Sequence, residues 1–321
     1  MVSSRQGCFV SQCVIAILGP TASGKSELAQ NVALALGGEV VSADSMQIYK
    51  GMDIGTAKLS ADKMLVPHHL IDILEPGEAF SAQLFQKLSR EAFAEISSRG
   101  KIPVLCGGTG LYVQAALEDM RFPQGEQTDN PIREKYEKMA SEEGNEAVWH
   151  LLNNLDPDSA KVVHPNNVRR AIRALEMHAQ GVSYAKQVSG MKNLPEVVPS
   201  VRFGLQRDPA ILAKRINDRV DLMFEQGLVQ EVELLLENGL RNALTAPQAI
   251  GYKEVVAALD GKCTMREASE QIKTATRRYA KRQRSWLRRD SSLIVLDADN
   301  LNPDQLLAIV LETYGQRNAI Q

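Results

Sequence analysis

The sequence predicts an α/β fold: a parallel sheet with a phosphate-binding loop (P-loop), flanked by helices and interrupted by an inserted all-helical domain. Short apolar runs alternate with helical segments in the first third of the 321 residues, which is the pattern of a parallel sheet with helices on its faces. A glycine-rich turn joins the first apolar run to the first helix. From about residue 118 to residue 199 hardly any strand-like run occurs, and strands return after residue 200.

The first third supplies most of the predicted sheet. The apolar run Val14–Leu18 leads through the glycine-rich turn to helix Lys25–Leu36, which ends at a pair of glycines. Further strands are predicted at 39–43, 69–73 and 102–106, and Ser81 can cap a helix over 82–98. We assign residues 1–117 to the core that carries the sheet.

The remaining residues are mainly helical. The insertion, residues 118–199, has helical segments at 131–143, 146–154 and 167–180. Residues 200–321 rejoin the core with strands at 201–207 and 293–296, helices at 209–226, 228–238, 248–259 and 265–289, and a terminal helix.

Composition excludes several classes of protein. The net charge of −2 shows that the protein is not polycationic overall, so any affinity for nucleic acid must come from a local basic patch. The four cysteines are scattered, and the histidines lack metal spacing, which indicates reduced thiols and a cytoplasmic location. No apolar run approaches the ~20 residues of a membrane span, and residues 1–12 lack a secretory core. We therefore expect no membrane association.

Residues 19–26 match the pattern G-x-x-x-x-G-K-[ST] in full. The glycines allow a tight turn whose N–H groups approach phosphate oxygens, and the helix that follows directs its positive end to the same place. Lys25 adds an ammonium group, and the Ser26 hydroxyl can hold Mg²⁺. The loop therefore predicts binding of a diphosphate or triphosphate. It consists of Gly19, Pro20, Thr21, Ala22, Ser23, Gly24, Lys25 and Ser26.

Two polar residues follow predicted strands. Asp44 comes directly after strand 39–43, and ligands of open α/β sheets bind beyond the carboxyl ends of the strands. It can act there as a general base, help to hold Mg²⁺, or cap the next turn. Strand 102–106 ends in glycines and Thr109, where most ATP-hydrolysing loop proteins carry an Asp that orients Mg²⁺. Thr109 can bind a phosphate or leaving oxygen, or begin a helix, and the missing Asp weakens the ATPase interpretation.

The predicted helix near the C-terminus is strongly basic. No acid occurs between Lys273 and Arg289. A uniformly positive stripe on a mildly acidic protein favours binding to a phosphate backbone over a merely solvated face. At helical spacing the positive stripe is Arg277, Lys281, Arg284 and Arg288, and a second, largely apolar stripe is Ile272, Thr276, Tyr279, Gln283 and Trp286.

Six motifs in this order resemble the tRNA dimethylallyltransferases. They are the loop 19–26, Ser-Ala-Asp-Ser-Met-Gln-Ile-Tyr (42–49), Gly-Met-Asp-Ile-Gly-Thr-Ala-Lys (51–58), Gly-Gly-Thr-Gly-Leu-Tyr (107–112), Ala-Ile-Gly-Tyr-Lys (249–253) and Lys-Arg-Gln-Arg-Ser-Trp-Leu-Arg (281–288). The resemblance covers about residues 14–290. It implies transfer of a dimethylallyl group from dimethylallyl diphosphate to N6 of the adenosine 3′ of a tRNA anticodon, position 37. The chain has no C-terminal cysteine/histidine finger, so a bacterial-type enzyme is expected. We also expect a monomer.

The resemblance also assigns roles to residues. Asp44 matches the family's catalytic Asp, which takes a proton from the adenine amine. Thr109 matches the residue near the bridging oxygen of the donor. The loop 19–26 would bind the diphosphate, with Mg²⁺ at Ser26 and with Arg215 and Arg219 where the family has a diphosphate-binding arginine. The residues implied to contact tRNA, some in the inserted domain, are Asp44, Ser45, Met46, Gln47, Arg133, Val168, Arg169, Arg170, Ala171, Ile172, Gln248, Ala249, Ile250, Gly251, Tyr252, Lys253, Lys281, Arg282, Gln283, Arg284, Ser285, Trp286, Leu287 and Arg288.

Three other functions remain open at this point. A relative that prenylates free adenine nucleotides would share the loop, Asp44 and Thr109, although the basic helix argues against so small an acceptor. A small-molecule kinase would use Asp44 to deprotonate a hydroxyl. A non-catalytic RNA-binding protein or nucleotide switch is the third, and the chain has no Asn-Lys-x-Asp guanine motif that would support the switch.

Overall fold

The computed structural model describes residues 12–122, 130–191, 194–243 and 245–318. Its strands are β1 Val14–Leu18, β2 Glu39–Ala43, β3 His68–His69, β4 Pro103–Gly107, β5 Ser200–Gln206 and β6 Ile294–Asp297. These six strands of the described residues form one parallel sheet in the order β3-β2-β4-β1-β5-β6. The predicted α/β class with a parallel sheet is confirmed.

Helices connect the strands and cover the sheet. Among the described residues they are α1 Lys25–Leu36, α2 Ala82–Ser98, α3 Gly110–Leu117, α4 Pro131–Glu143, α5 Asn145–Leu155, α6 Pro157–Val162, α7 Val168–Ala179, α8 Tyr184–Gly190, α9 Pro209–Glu225, α10 Leu228–Glu237, α11 Tyr252–Leu259, α12 Met265–Leu287 and α13 Pro303–Asn318. The described part of the chain contains no helix that is both long and apolar enough to span a bilayer.

Both faces of the sheet are buried, which explains the continuous apolar runs. Successive side chains of a strand point to opposite faces. In β1, Val14, Ala16 and Leu18 therefore join the core formed with α2, α3, α9, α10, α11 and α12. Ile15 and Ile17 join the core on the other face, which α1 and α13 complete.

The described residues fall into two compact units. One contains the sheet and runs to Leu117 and again from Val197. The other, Glu118–Glu196, contains α4 to α8 and has its own apolar core around Tyr136, Val148 and Leu152. Sequence analysis predicted three of its helices and missed the short α6 and α8.

Two predicted elements differ in the structure. The strand predicted over 69–73 ends at His69, because Leu70 and Asp72 have φ values of 60° and 54°, which no strand accommodates. The helix predicted over 248–259 begins only at Tyr252. Gly251 has φ 100° and interrupts it, leaving a short 3₁₀ turn before it.

A buried carboxylate lies at the amino end of β2. Glu39 accepts hydrogen bonds from His69 at 2.7 Å, Arg99 at 2.6 Å and Lys101 at 2.8 Å. Burial by itself would raise its pKa, but the bonds from Lys101 and His69 and the charge of Arg99 outweigh burial and lower the pKa to about 2. This cluster joins the start of β2 to β3 and to the segment before β4.

Candidate active site

One cavity of about 240 Å³ lies at the carboxyl ends of β1, β2 and β4. Its lining includes Thr21, Lys25, Ser26, Asp44, Arg215 and Arg219. The predicted glycine loop and Asp44 thus share a single cavity, as the position of both after parallel strands requires.

The glycine loop has the backbone conformation of a tight anion-binding turn. Ala22 and Gly24 have φ values of 64° and 101°, and α1 begins immediately after Gly24. The start of the loop is crowded as well, since a Cβ on Gly19 would lie 2.6 Å from the Ser23 hydroxyl. The N-terminus of α1 faces this turn and favours a bound anion.

Cations surround the loop. Arg215 donates through Nε to the carbonyl of Ala22 at 2.9 Å, and Arg219 lies 3.5 Å from the Thr21 hydroxyl. Burial, and after it the charge of Arg215, lowers the pKa of Arg219. Burial likewise lowers the pKa of Lys25, against the opposing effect of Asp44. Within the described residues neither arginine forms an ion pair, so this end of the cavity is suited to a polyanion.

Two side chains that sequence analysis did not place here support the loop. Gln283 is 5% exposed; its Oε1 accepts the Thr21 N–H at 2.9 Å and its Nε2 donates to the Gly108 carbonyl at 3.0 Å. Arg207 donates to the Ser23 carbonyl at 2.9 Å. Gln283 was predicted to contact tRNA, and the structure places its amide against the loop. Its position on the largely apolar stripe of α12 indicated that the side chain is buried, and a buried amide needs hydrogen-bond partners.

Asp44 lies half-buried in the cavity wall. Its Oδ1 accepts the backbone N–H of Met46 at 2.9 Å, so the carboxylate caps the turn after β2. Among the described residues Oδ2 accepts no hydrogen bond. Of the three roles considered from sequence, the structure shows the turn cap, and Asp44 also lines the cavity together with Lys25.

Thr109 follows β4 at the start of α3, as predicted. Its carbonyl accepts the N–H groups of Tyr112 and Val113, and its hydroxyl lies 3.4 Å from that of Tyr279 on α12. Burial, followed by the charge of Asp44, raises the pKa of Tyr279. The cavity lining reaches Gly107 at the end of β4, whereas Thr109 is not part of it. The Thr109 hydroxyl therefore contacts α12, and Thr109 itself follows the cavity-lining Gly107 by two positions.

Two further side chains of the cavity, His68 and Cys106, were not predicted to belong to the site. Burial, and after it the charge of His69, lowers the pKa of His68. Burial raises the pKa of the Cys106 thiol to about 11, although Lys25 and Ser26 oppose the shift. The thiol is consequently uncharged near neutral pH.

The basic helix α12 exposes part of its predicted stripe. Arg277 is bound internally, donating to Asn217 at 2.5 Å. Lys281 and Arg288 are exposed and Arg284 is half-buried, and none of the three has a carboxylate partner among the described residues. Of the other predicted tRNA contacts on this helix, Arg282 and Ser285 are exposed, Trp286 is half-buried and Leu287 is buried.

The other predicted tRNA contacts are placed as follows. Ser45, Met46 and Gln47 are half-buried after β2, Gln248 and Lys253 are exposed, Ile250 is half-buried, and Ala249, Gly251 and Tyr252 are buried. In the helical unit, Arg169 and Arg170 are exposed, Val168 is half-buried, and Ala171 and Ile172 are buried. Arg133 binds the buried carboxylate of Glu176 at 2.6 and 3.1 Å.

The fold and site define a P-loop α/β protein in which a carboxylate lies beside an anion-binding loop. A family model described as IPP transferase matches residues 47–290, and one described as isopentenyl transferase matches residues 12–68. A tRNA dimethylallyltransferase of Geobacillus thermodenitrificans is 47% identical over 307 residues, 95% of this chain and 96% of that protein. One from Bacillus cytotoxicus is 50% identical over 277 residues, 86% and 87% of the two chains.

Two solved structures are similar to this chain as well. A tRNA isopentenylpyrophosphate transferase from Staphylococcus epidermidis has a TM-score of 0.70 and 36% identity, covering 95% of this chain and 100% of that one. A eukaryotic dimethylallyltransferase acting on tRNA has a TM-score of 0.77 and 30% identity, covering 95% and 80%. The chain belongs to the IPP transferase family, and the predicted resemblance is confirmed.

Proposed function

We propose that this chain transfers a dimethylallyl group from dimethylallyl diphosphate to N6 of the adenosine 3′ of the anticodon in tRNA, giving N6-isopentenyladenosine. The observation that carries the proposal is the single cavity in which Asp44 lies beside the glycine loop and its cations. A transfer of this kind needs both: a site for the departing diphosphate and a base for the attacking amine.

The cationic end of the cavity suits the diphosphate of the donor. The N-terminus of α1 lies at this end, and Lys25, Arg215 and Arg219 all line the same cavity. Preorganised donors and cations stabilise the charge that develops on a leaving group. Thr109, whose hydroxyl lies 3.4 Å from that of Tyr279, would donate a hydrogen bond to the bridging oxygen of the donor and keep its proton.

Mg²⁺ fits this site as a cofactor held mainly by its ligand. Among the described residues no three histidine, cysteine or acidic side chains gather as metal ligands. Mg²⁺ commonly keeps several waters and binds substrate phosphates with few protein ligands. The Ser26 hydroxyl, which lines the cavity, would be its protein ligand. When bound, the ion would neutralise charge on the leaving diphosphate.

Asp44 would serve as the general base. The lone pair of N6 forms a bond to C1 of the allyl group, the C1–O bond breaks, and the diphosphate leaves with the bonding electrons. The proton of N6 passes to Asp44. An adenine amine is weakly nucleophilic because its lone pair is delocalised into the ring, so removal of this proton during attack lowers the barrier. The target base must leave its stack to reach the cavity.

The basic surface of α12 supports tRNA as the acceptor. Lys281, Arg284 and Arg288 have no carboxylate partner in the described part of the chain. Lys281 and Arg288 are exposed and Arg284 is half-buried, and unpaired cations at a surface bind a phosphate backbone. Arg169 and Arg170 of the helical unit would add further phosphate contacts. A free adenine nucleotide would leave most of these cations unused. We further propose that the chain acts as a monomer in the cytoplasm, where its scattered cysteines stay reduced.

Incubation with labelled dimethylallyl diphosphate and, in separate reactions, unmodified tRNA or AMP tests the proposal. Nucleoside analysis should find labelled N6-isopentenyladenosine in tRNA and little in AMP. Label confined to AMP would indicate a free-nucleotide prenyltransferase. Phosphorylation of a small molecule by ATP, without transfer of any prenyl group, would refute the proposal in favour of a kinase.

A further inference from the structure

Four hydrogen-bond donors converge on the carboxylate of Glu231 in α10. Its Oε2 accepts the backbone N–H of Asp53 at 3.0 Å and that of Ile54 at 2.7 Å. Its Oε1 accepts the backbone N–H of Gly55 at 3.1 Å and the hydroxyl of Tyr252 at 2.6 Å. Hydrogen bonds to an ionised acceptor are among the strongest in proteins. The segment 53–55 is therefore held by one side chain nearly 180 residues away in the sequence.

Tyr252 completes this anchor from inside the protein. It is fully buried, with 0% exposure, and burial, followed by the charge of Glu231, raises its pKa, so the hydroxyl keeps its proton and donates it. Its ring packs against Gly55, where a Cβ would lie 2.5 Å from Cε2 of the ring. The resemblance implied that Tyr252 contacts tRNA, but the structure gives its side chain no exposed surface.

The anchored segment continues directly into the wall of the cavity. The carbonyl of Thr56 accepts a hydrogen bond from Gln47 Nε2 at 3.2 Å, and Gln47 Oε1 accepts the hydroxyl of Ser42 at 3.2 Å. Thr56, Ala57, Gln47 and Ser42 all line the cavity together with Asp44. Movement of the segment 53–57 would therefore release the Gln47 amide from its place.

The residues of this wall come from a different part of the chain than the cations of the cavity. Lys25 and the two arginines of α9 come from the glycine loop and its neighbours, whereas Gln47 belongs to the same segment as Asp44. In the proposed reaction Asp44 meets the acceptor amine. A side-chain amide held beside it has the donor and acceptor groups that pair with an adenine edge.

We propose that Glu231 and Tyr252 are positioning residues for the acceptor nucleotide: they fix the segment 53–57 and, through Thr56, the amide of Gln47 beside Asp44. This inference rests on the proposed prenyl transfer. It assigns to two groups outside the cavity, the half-buried Glu231 and the buried Tyr252, an effect on one substrate only.

The test compares Glu231→Gln and Tyr252→Phe with a matched control, Glu233→Gln. Glu233 lies on the same helix with an exposed side chain, so the control makes the same charge change without touching the anchor. Steady-state kinetics give kcat and KM for tRNA, equilibrium binding gives the Kd of dimethylallyl diphosphate, and urea unfolding reports stability. Tyr252→Phe removes one hydroxyl from the anchor and keeps the ring, so it remains informative if Glu231→Gln fails to fold.

We expect Glu231→Gln to lower kcat/KM for tRNA by about tenfold or more, and Tyr252→Phe to lower it by a smaller factor, because a hydrogen bond to a charged group is lost. The Kd of the donor should stay within about twofold of the wild-type value, and Glu233→Gln should match the wild type. Wild-type kinetics in both anchor variants, or equal losses for donor and tRNA, would overturn the inference. A wild-type chain that transfers no prenyl group would instead refute the proposed function, and the inference with it.

Discussion

Substitution of Gln283 tests the link between α12 and the glycine loop. Its amide satisfies the Thr21 N–H at 2.9 Å and the Gly108 carbonyl at 3.0 Å from a buried position. Gln283→Met keeps the shape of the side chain and removes both bonds. Thr21 borders the cavity, so water can replace its partner, but the carbonyl of buried Gly108 is left without one. A buried polar group without a partner costs ~1–3 kcal/mol, which is the expected loss of unfolding free energy.

Gln283→Glu keeps the size of the side chain and changes only its hydrogen-bonding groups, so it tests the hydrogen bonds separately from packing. One carboxylate oxygen can still accept the Thr21 N–H, but the other faces the Gly108 carbonyl and repels it. The protonated acid can donate to this carbonyl, so lowering the pH from about 8 to about 5.5 should restore stability and donor affinity relative to wild type. The Kd of dimethylallyl diphosphate and urea unfolding at each pH measure both effects.

The control for this pair is Gln271→Glu. Gln271 is exposed on the same helix, so its substitution adds the same charge without touching the loop. If Gln283→Glu binds the donor and unfolds as the wild type does at about pH 8, the two hydrogen bonds do not hold the loop.

Further predictions concern charge. Lys281→Ser should reduce the salt dependence of tRNA binding, because one phosphate contact is lost. The slope of log affinity against log salt should become shallower by about 0.7–0.9. An unchanged slope would show that Lys281 does not contact a phosphate of the tRNA. The depressed pKa of Glu39, about 2 against an ordinary 4.5, means that its contribution to stability is complete above pH 4.5 and is lost as the pH falls towards 2. Urea unfolding at both ends of this window should show a smaller pH dependence in Glu39→Gln, and an equal dependence would contradict the ion cluster.

Features that depend on a short stretch of chain could be predicted from the sequence. The run Val14–Leu18, the loop 19–26 and α1 are contiguous, and the pattern gives their order and chemistry together. The position of Asp44 beside the loop follows from a general property of parallel sheets, since adjacent strands end at the same edge. These two inferences sufficed to locate the cavity.

Features that depend on contacts between distant parts of the chain could not be predicted from the sequence. Gln283 reaches a loop 262 positions earlier, and Glu231 reaches a segment 177 positions before it; neither pairing leaves a local pattern. The strand predicted at 69–73 failed for a similar reason. Asp72 adopts a positive φ and its carboxylate binds the buried ammonium of Lys58 at 2.5 Å, a contact that apolar spacing alone does not reveal.

The most direct test of the central claim is the single-turnover rate of Asp44→Asn with saturating dimethylallyl diphosphate and tRNA. The asparagine keeps an oxygen for the Met46 N–H, which Asp44 now accepts at 2.9 Å, so the turn after β2 and the affinities for both substrates should persist. Loss of the general base predicts a transfer step slower by ~10²–10⁴-fold. A rate within about threefold of wild type would show that Asp44 does not accept the proton.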